Sequence, residues 1–222
     1  MVDEDIKKSI LKSGTSLVGI VCKEGVVMAG DRRSTAGGSI IMSKRSQQVV
    51  KITDYLVVSG TGVASDIDMN QRVFAAELKL KELKTRSRPT VKEAASLVGM
   101  MIYRNIRTPS MIPSMVGLLV GGVNKDGTSE LYTIEPAGGV YLVEDYDANF
   151  SSGMPYILGL LERKYKKDLS IKEGIELAKE CIQAAIERDA ASGNGIDVFS
   201  ITKEGIKHEI AEDLQPTFVK RQ

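Results

Sequence analysis

The chain has 222 residues, 42% of them hydrophobic and 27% charged, which suits one soluble domain with a sizeable core. Its 30 basic and 29 acidic residues leave a net charge of +1, a balance that gives no field for nucleic acid or an anionic membrane. Cys22 and Cys181 stand far apart with no CxxC or Cys/His cluster, which argues against a zinc site or a disulfide framework and suits a reducing cytoplasm.

In chain order, residues 1–14 carry Asp3, Glu4, Asp5, Lys7 and Lys8 and so lack the apolar centre of a secretory signal. From Gly14 to Asp31, two apolar runs flank Lys23-Glu24-Gly25, the pattern of a β-hairpin. Leu17 and Val21 fall on one face of the first run, and Val18, Ile20 and Cys22 on the other. A strand apolar on both faces is buried on both, so its sheet is sandwiched. Ser34 to Ser46 reads as a loop around Gly37-Gly38, with a short apolar piece at Ile40-Ile41-Met42. Short strands follow at Gln47–Ile52 and Tyr55–Ser59, joined at Thr53-Asp54, the second ended by Gly60-Thr61-Gly62.

The spacing turns helical from Ala64 to about Arg86, with Phe74 and Leu78 one turn apart and Ala76, Leu80 and Leu83 at helical steps. The basic residues near its end complement the helix dipole. Thr90-Val91-Lys92-Glu93 is a capping box that opens a second helix to about Asn105, with Val91, Ala94/Ala95, Val98 and Met101/Ile102 inward. Val116 to Val123 is apolar throughout, a second strand buried on both faces. It turns at Asn124–Gly127 into Glu130–Ile134, and Gly138-Gly139 leads into Val140–Glu144. Asp145-Tyr146-Asp147 reads as a turn, because a calcium loop needs more oxygen ligands at fixed spacing. Pro155 sits in the first turn of a helix to about Tyr165. A second capping box, Ser170 to Glu173, opens the last helix, which ends near Asp189 to Gly193. Ile196–Ile201 and Ile206–Ile210 form a closing hairpin, and a polar tail runs to Gln222. Strands, two helices, strands, two helices, strands: this order gives an α+β class.

The stretch Gly14-Thr15, then Val18-Gly19, the hairpin, and Ala29-Gly30-Asp31-Arg32-Arg33 resembles the start of a mature proteasome β-subunit. In that family a Gly–Thr bond is cut and the freed Thr becomes the nucleophile, with its own amine as base. The resemblance runs from Thr15 to about Ile210. It implies a four-layer αββα sandwich of two antiparallel sheets, the N-terminal-nucleophile hydrolase fold. It implies a propeptide over residues 1–14, cut after Gly14, and a proteasome β-type domain over residues 15–222. Thr15 takes the nucleophile position, Asp31 the acidic position after the hairpin, and Gly62 the oxyanion donor. Ser152 takes the position that contacts the N-terminal Thr, and Asp189 with Ser192 completes that network. No cofactor and no metal are expected. The implied partners are proteasome α-subunits, other β-subunits in heptameric rings, a regulatory ATPase and unfolded protein substrate, in the cytoplasm and with neither nucleic acid nor membrane. Short extensions point to an archaeal chain.

One position departs from the family pattern. Counting back from Ile52 and Gly62 puts Gln48 where the family has a catalytic Lys. Lys51 is an odd step away and faces the other side of a strand, and Lys44 lies before it. A neutral amide supplies no charge and no proton relay, so weak or no activity is expected. The alternative is a fully active threonine endopeptidase that cuts its own Gly14–Thr15 bond, with Lys44 or another group in the missing role. His208, the lone histidine, falls in the last hairpin, and no GxSxG occurs, which leaves no basis for a Ser-His-Asp triad.

Overall fold

The computed structural model describes residues 14–36, 38–111 and 114–215. The expected propeptide, apart from Gly14, and the end of the expected polar tail lie outside the described residues.

Strands β1 (Leu17–Cys22) and β2 (Gly25–Asp31) form the expected hairpin, in register from Leu17 opposite Gly30 to Cys22 opposite Gly25. Strands β11 (Gly195–Thr202) and β12 (Gly205–Asp213) close the chain, and β11 pairs with β2. A two-residue strand, β10 (Tyr146–Asp147), pairs with β1 at the other edge, so the first sheet runs β10-β1-β2-β11-β12. The second sheet runs β5-β6-β7-β8-β9, from β5 (Val49–Lys51), β6 (Leu56–Gly62), β7 (Val116–Val123), β8 (Ser129–Ile134) and β9 (Val140–Leu142). All strand pairs in both sheets are antiparallel.

The strand period of two sorts the side chains of β1 between two layers. Val18, Ile20 and Cys22 join Val27 and Ala29 of β2 against helices α3 (Met154–Lys164) and α4 (Ile171–Ile186). Leu17, with Val26 and Met28, faces the second sheet, where Leu119 and Leu131 are fully buried. Helices α1 (Ala64–Thr85) and α2 (Val91–Arg107) cover the outer face of the second sheet through Phe74, Leu78, Val91, Ala94, Val98 and Ile102. The result is helices, sheet, sheet, helices, the four layers that the resemblance implied. Both capping boxes form with both of their reciprocal hydrogen bonds, at Thr90/Glu93 and Ser170/Glu173. Glu24 of the first hairpin also accepts a hydrogen bond from the backbone of Ile171 at 3.1 Å, tying that turn to the start of α4.

Several elements differ from the sequence expectation. Part of the expected loop after Arg33 is a two-stranded ribbon, β3 (Ser34–Ala36) with β4 (Ile40–Ser43), which leaves Ile40, Ile41 and Met42 exposed. Within the expected turn at Asp145 to Asp147, Tyr146 and Asp147 form an edge strand held by β1. Strand β6 continues through Gly60-Thr61-Gly62, because Thr61 and Gly62 pair with Gly117 and Val116. On α1 only Phe74 and Leu78 of the apolar positions are buried, while Leu80 and Leu83 are exposed. Cys22 and Cys181 are buried free thiols, each pushed up to about 12 by burial, so neither is a ready nucleophile. Among the described residues no helix is long and apolar enough to cross a membrane, and no cluster of His, Cys, Asp and Glu is placed to hold a metal ion.

Candidate active site

The hairpin register decides what faces Thr15. Gly30 lies opposite Leu17, so Asp31 falls opposite Ser16, whose carbonyl accepts the Asp31 N–H at 3.1 Å. The Thr15 hydroxyl then donates to Asp31 Oδ1 at 2.9 Å, and the Ser16 N–H donates to the same oxygen at 3.0 Å. The second carboxylate oxygen accepts the N–H of Gly193 at 2.7 Å and that of Arg33 at 3.1 Å. Asp31 is fully buried, and burial pushes its carboxyl up to about 6, against the pull of these four donors. All four donors are uncharged.

The loop before α3 brings in Ser152. Its Oγ accepts the Thr15 N–H at 3.0 Å. Its own hydrogen reaches Asp189 Oδ2 at 2.6 Å and the Thr15 carbonyl at 3.0 Å. Asp189 follows the end of α4, where its N–H still bonds the Ala185 carbonyl. Its Oδ2 also accepts the Ser192 hydroxyl at 2.6 Å, and Ser192 Oγ lies 2.7 Å from Ser16 Oγ. With the Ser192 hydrogen committed to Asp189, Ser16 is the donor in that last pair. Thr15, Asp31, Ser152, Asp189 and Ser192 therefore share one hydrogen-bonded network drawn from both halves of the first sheet and the ends of two helices. Gly62, at the end of β6, lines a cavity of about 310 Å³ together with Thr15, Val63, Met115, Phe150 and Ser152.

With Gly14 joined to Thr15, the Thr15 nitrogen is a peptide N–H that donates and cannot take up a proton. The Gly14 N–H donates to Thr35 Oγ1 at 3.2 Å. A side chain at Gly14 would start 2.1 Å from Ala191 Cβ and 2.8 Å from Ser152 Oγ, so the residue before the Gly–Thr bond has room only for hydrogen.

Gln48 stands just before β5, with its Cβ 3.2 Å from where a side chain on Gly30 would begin. Its Nε2 donates to the Arg33 carbonyl at 2.9 Å. Lys51 pairs with Asp54 at 3.2 Å, and Lys44 is exposed beside Arg45, Asn194 and Asp213. The two arginines next to Asp31 are committed elsewhere. Arg32 makes a bidentate pair with buried Asp197, at 2.6 and 2.9 Å, and also bonds Asp213 at 2.6 Å. Arg33 donates to Asn194 Oδ1 and to the Ala190 carbonyl, each at 2.8 Å.

Sequence reasoning missed Ser16, Thr35, Gly193 and Asn149. Ser16 and Gly193 adjoin residues it did single out, so their backbone donors were within reach of the pattern. Thr35 and Asn149 carry no sequence signal for these roles, since their side-chain contacts exist only across elements.

The profile of the family described as "Proteasome subunit" matches residues 11–201. The chain is 38% identical to the proteasome subunit beta of Ferroglobus placidus, over 93% of this chain and 95% of that one. It is 34% identical to the proteasome subunit beta of Archaeoglobus fulgidus, over 99% and 98%, and 38% identical to proteasome subunit beta 2 of Pyrococcus abyssi, over 87% and 89%. With likeness of this extent on top of two antiparallel sheets between helical layers, the chain belongs to the proteasome subunit family.

Proposed function

We propose that the chain is a β-subunit of a proteasome core particle in the cytoplasm, that Thr15 occupies its nucleophile position, and that its own peptidase activity is weak or absent. In this reading it completes a heptameric ring with other β-subunits, stacked on α-subunit rings. The particle takes in unfolded protein, with a regulatory ATPase at its gate. In an active member the freed Thr15 amine takes the hydroxyl proton as Oγ1 attacks the substrate carbonyl. The Gly62 N–H faces the oxyanion, and Ser152, Asp189 and Ser192 hold the amine. A cation beside the hydroxyl and amine favours their deprotonated forms.

The observation that carries the reduced-activity reading is that, among the described residues, every hydrogen-bond donor to Asp31 is uncharged. Gln48 spends its amide on the Arg33 carbonyl, and the four donors to the carboxylate are three backbone amides and the Thr15 hydroxyl. Loss of one participant in proton transfer costs on the order of 10²–10⁴ in rate. The same constellation would cut the Gly14–Thr15 bond, so residues 1–14 stay attached and the amine stays covered.

The fully active endopeptidase reading draws support from the assembled contacts of Thr15 with Asp31 and Ser152. The two readings separate by mass spectrometry of the subunit assembled with its partners. A chain beginning at Met1 supports the silent reading. A chain beginning at Thr15, with fluorogenic-peptide cleavage that is lost in Thr15→Ala, overturns it.

A further inference from the structure

We propose that Asn149 is a positioning residue that couples the Gly62 end of β6 to the Ser152 contact on Thr15; this rests on the roles assigned above to Gly62 and Thr15. Asn149 is buried, with φ at +32°, and Phe150 after it has the same φ. Non-glycine residues hold such a conformation only where their surroundings fix it. Here the fixing is done by hydrogen bonds on every polar atom of the side chain. The Asn149 Nδ2 donates to the Leu118 carbonyl at 3.0 Å, to Thr133 Oγ1 at 2.8 Å and to the Ile134 carbonyl at 3.2 Å. Its Oδ1 accepts the Thr61 hydroxyl at 3.0 Å. Its backbone N–H donates to Asp147 Oδ1 at 2.6 Å.

One side chain therefore joins the ends of β6, β7 and β8. It can do so because Gly117 on β7 has no side chain: a Cβ there would lie 2.3 Å from Asn149 Oδ1 and 2.9 Å from Thr61 Oγ1. The two chain neighbours of this bolt are the groups the chemistry uses. Thr61 immediately precedes Gly62. Asn149 precedes Ser152 by three residues, and Ser152 bonds both the N–H and the carbonyl of Thr15. Gly62 lies on the second sheet and Thr15 leads into the first, so their separation is not set by either sheet alone. The path Thr61–Asn149–Ser152 sets it. Reacting groups need such fixing, because a misplacement of about 1 Å costs on the order of 10² in rate.

The test is hydrogen–deuterium exchange, read by mass spectrometry, on the subunit assembled with its partners. Thr61→Val removes only the hydroxyl that Asn149 accepts. The expected result is exchange about tenfold faster at residues 150–153, on the far side of Asn149, with β11 and β12 unchanged and with Thr61→Ser like the parent. Asn149→Gly keeps a backbone free to adopt positive φ and removes the bolt, and should release residues 60–63 and 150–153 together. Should Asn149→Gly fail to assemble, the Thr61→Val and Thr61→Ser pair decides alone. Unchanged exchange at residues 150–153 in Thr61→Val, or an even rise across the whole second sheet, overturns the proposal. Exchange is read without turnover, so that failure would leave the peptidase assignment to the mass and peptide assays above.

Discussion

The Thr15 hydroxyl donates to Asp31 Oδ1 at 2.9 Å, inside a carboxylate whose remaining partners are the backbone N–H groups of Ser16, Arg33 and Gly193. The nucleophile position is thus oriented by a buried carboxylate to which no charged side chain donates among the described residues. Two arginines follow Asp31 directly, yet Arg32 is held by Asp197 and Asp213 and Arg33 by Asn194 and Ala190. Their sequence proximity does not translate into charge at the carboxylate.

Asp31 should therefore destabilise the fold as it ionises. Its carboxyl moves from an ordinary 3.8 up to about 6 on folding, with burial the largest cause. The folded state holds the proton across that interval while the unfolded chain releases it. Stability is then highest below about pH 4 for this group and falls as pH rises toward 6. At about 1.4 kcal/mol per pH unit, the fall approaches 3 kcal/mol. Denaturant unfolding from pH 4 to 7 should show this negative slope in the parent and its loss in Asp31→Asn. Equal slopes in the two proteins would refute it.

Gln48→Lys supplies the missing charge. The ammonium would sit beside Gly30 and the Arg33 carbonyl, which Gln48 now contacts. The expected outcome is an Asp31 carboxyl lower than about 6, a chain that begins at Thr15, and peptide cleavage higher by about 10²–10⁴. Intact mass and a fluorogenic peptide on assembled particles check both. An assembled Gln48→Lys particle that keeps residues 1–14 and cleaves nothing would place the cause of silence elsewhere.

Much of this arrangement was legible in the sequence wherever the information is local. Val116 to Val123 announces a strand buried on both faces, and Thr90/Glu93 and Ser170/Glu173 announce helix starts through one-turn hydrogen bonds. The first hairpin was legible too, while its register, which sets Asp31 opposite Ser16, came from the structure. What was not legible depends on partners distant in the chain. Gly60-Thr61-Gly62 reads as a stop and becomes strand because β7 pairs with it. Tyr146-Asp147 becomes strand because β1 offers an edge. Leu80 and Leu83 fit a helical apolar line, and only the packing of α1 on the second sheet reveals that Phe74 and Leu78 face inward.

Arg32 should prove structural. Its guanidinium ties the end of β2 to Asp197 on β11 and Asp213 on β12, and Asp197 is almost wholly buried. Among the described residues, Arg32→Met leaves that carboxylate with His208 as its remaining side-chain partner, at 2.8 Å. Breaking a buried pair from one side costs about 3–5 kcal/mol. Thermal or denaturant unfolding should register a loss of that order, and a change below about 1 kcal/mol would show that the pair contributes little.

Gly14 offers the sharpest steric test. A methyl there would begin 2.1 Å from Ala191 Cβ and 2.8 Å from Ser152 Oγ. Gly14→Ala must therefore push apart the segment that carries Asp189 and Ser192 or lift the Gly14–Thr15 bond from its seat. Overpacking of this kind costs about 1–3 kcal/mol. Ala191→Gly removes the nearer obstacle, so the double variant should recover most of the lost stability, while Ser152 can turn its hydroxyl aside. In the Gln48→Lys background, Gly14→Ala should also slow the appearance of a chain beginning at Thr15, with partial recovery on adding Ala191→Gly. A Gly14→Ala chain as stable as the parent would mean that the residue before Thr15 does not sit between Ala191 and Ser152.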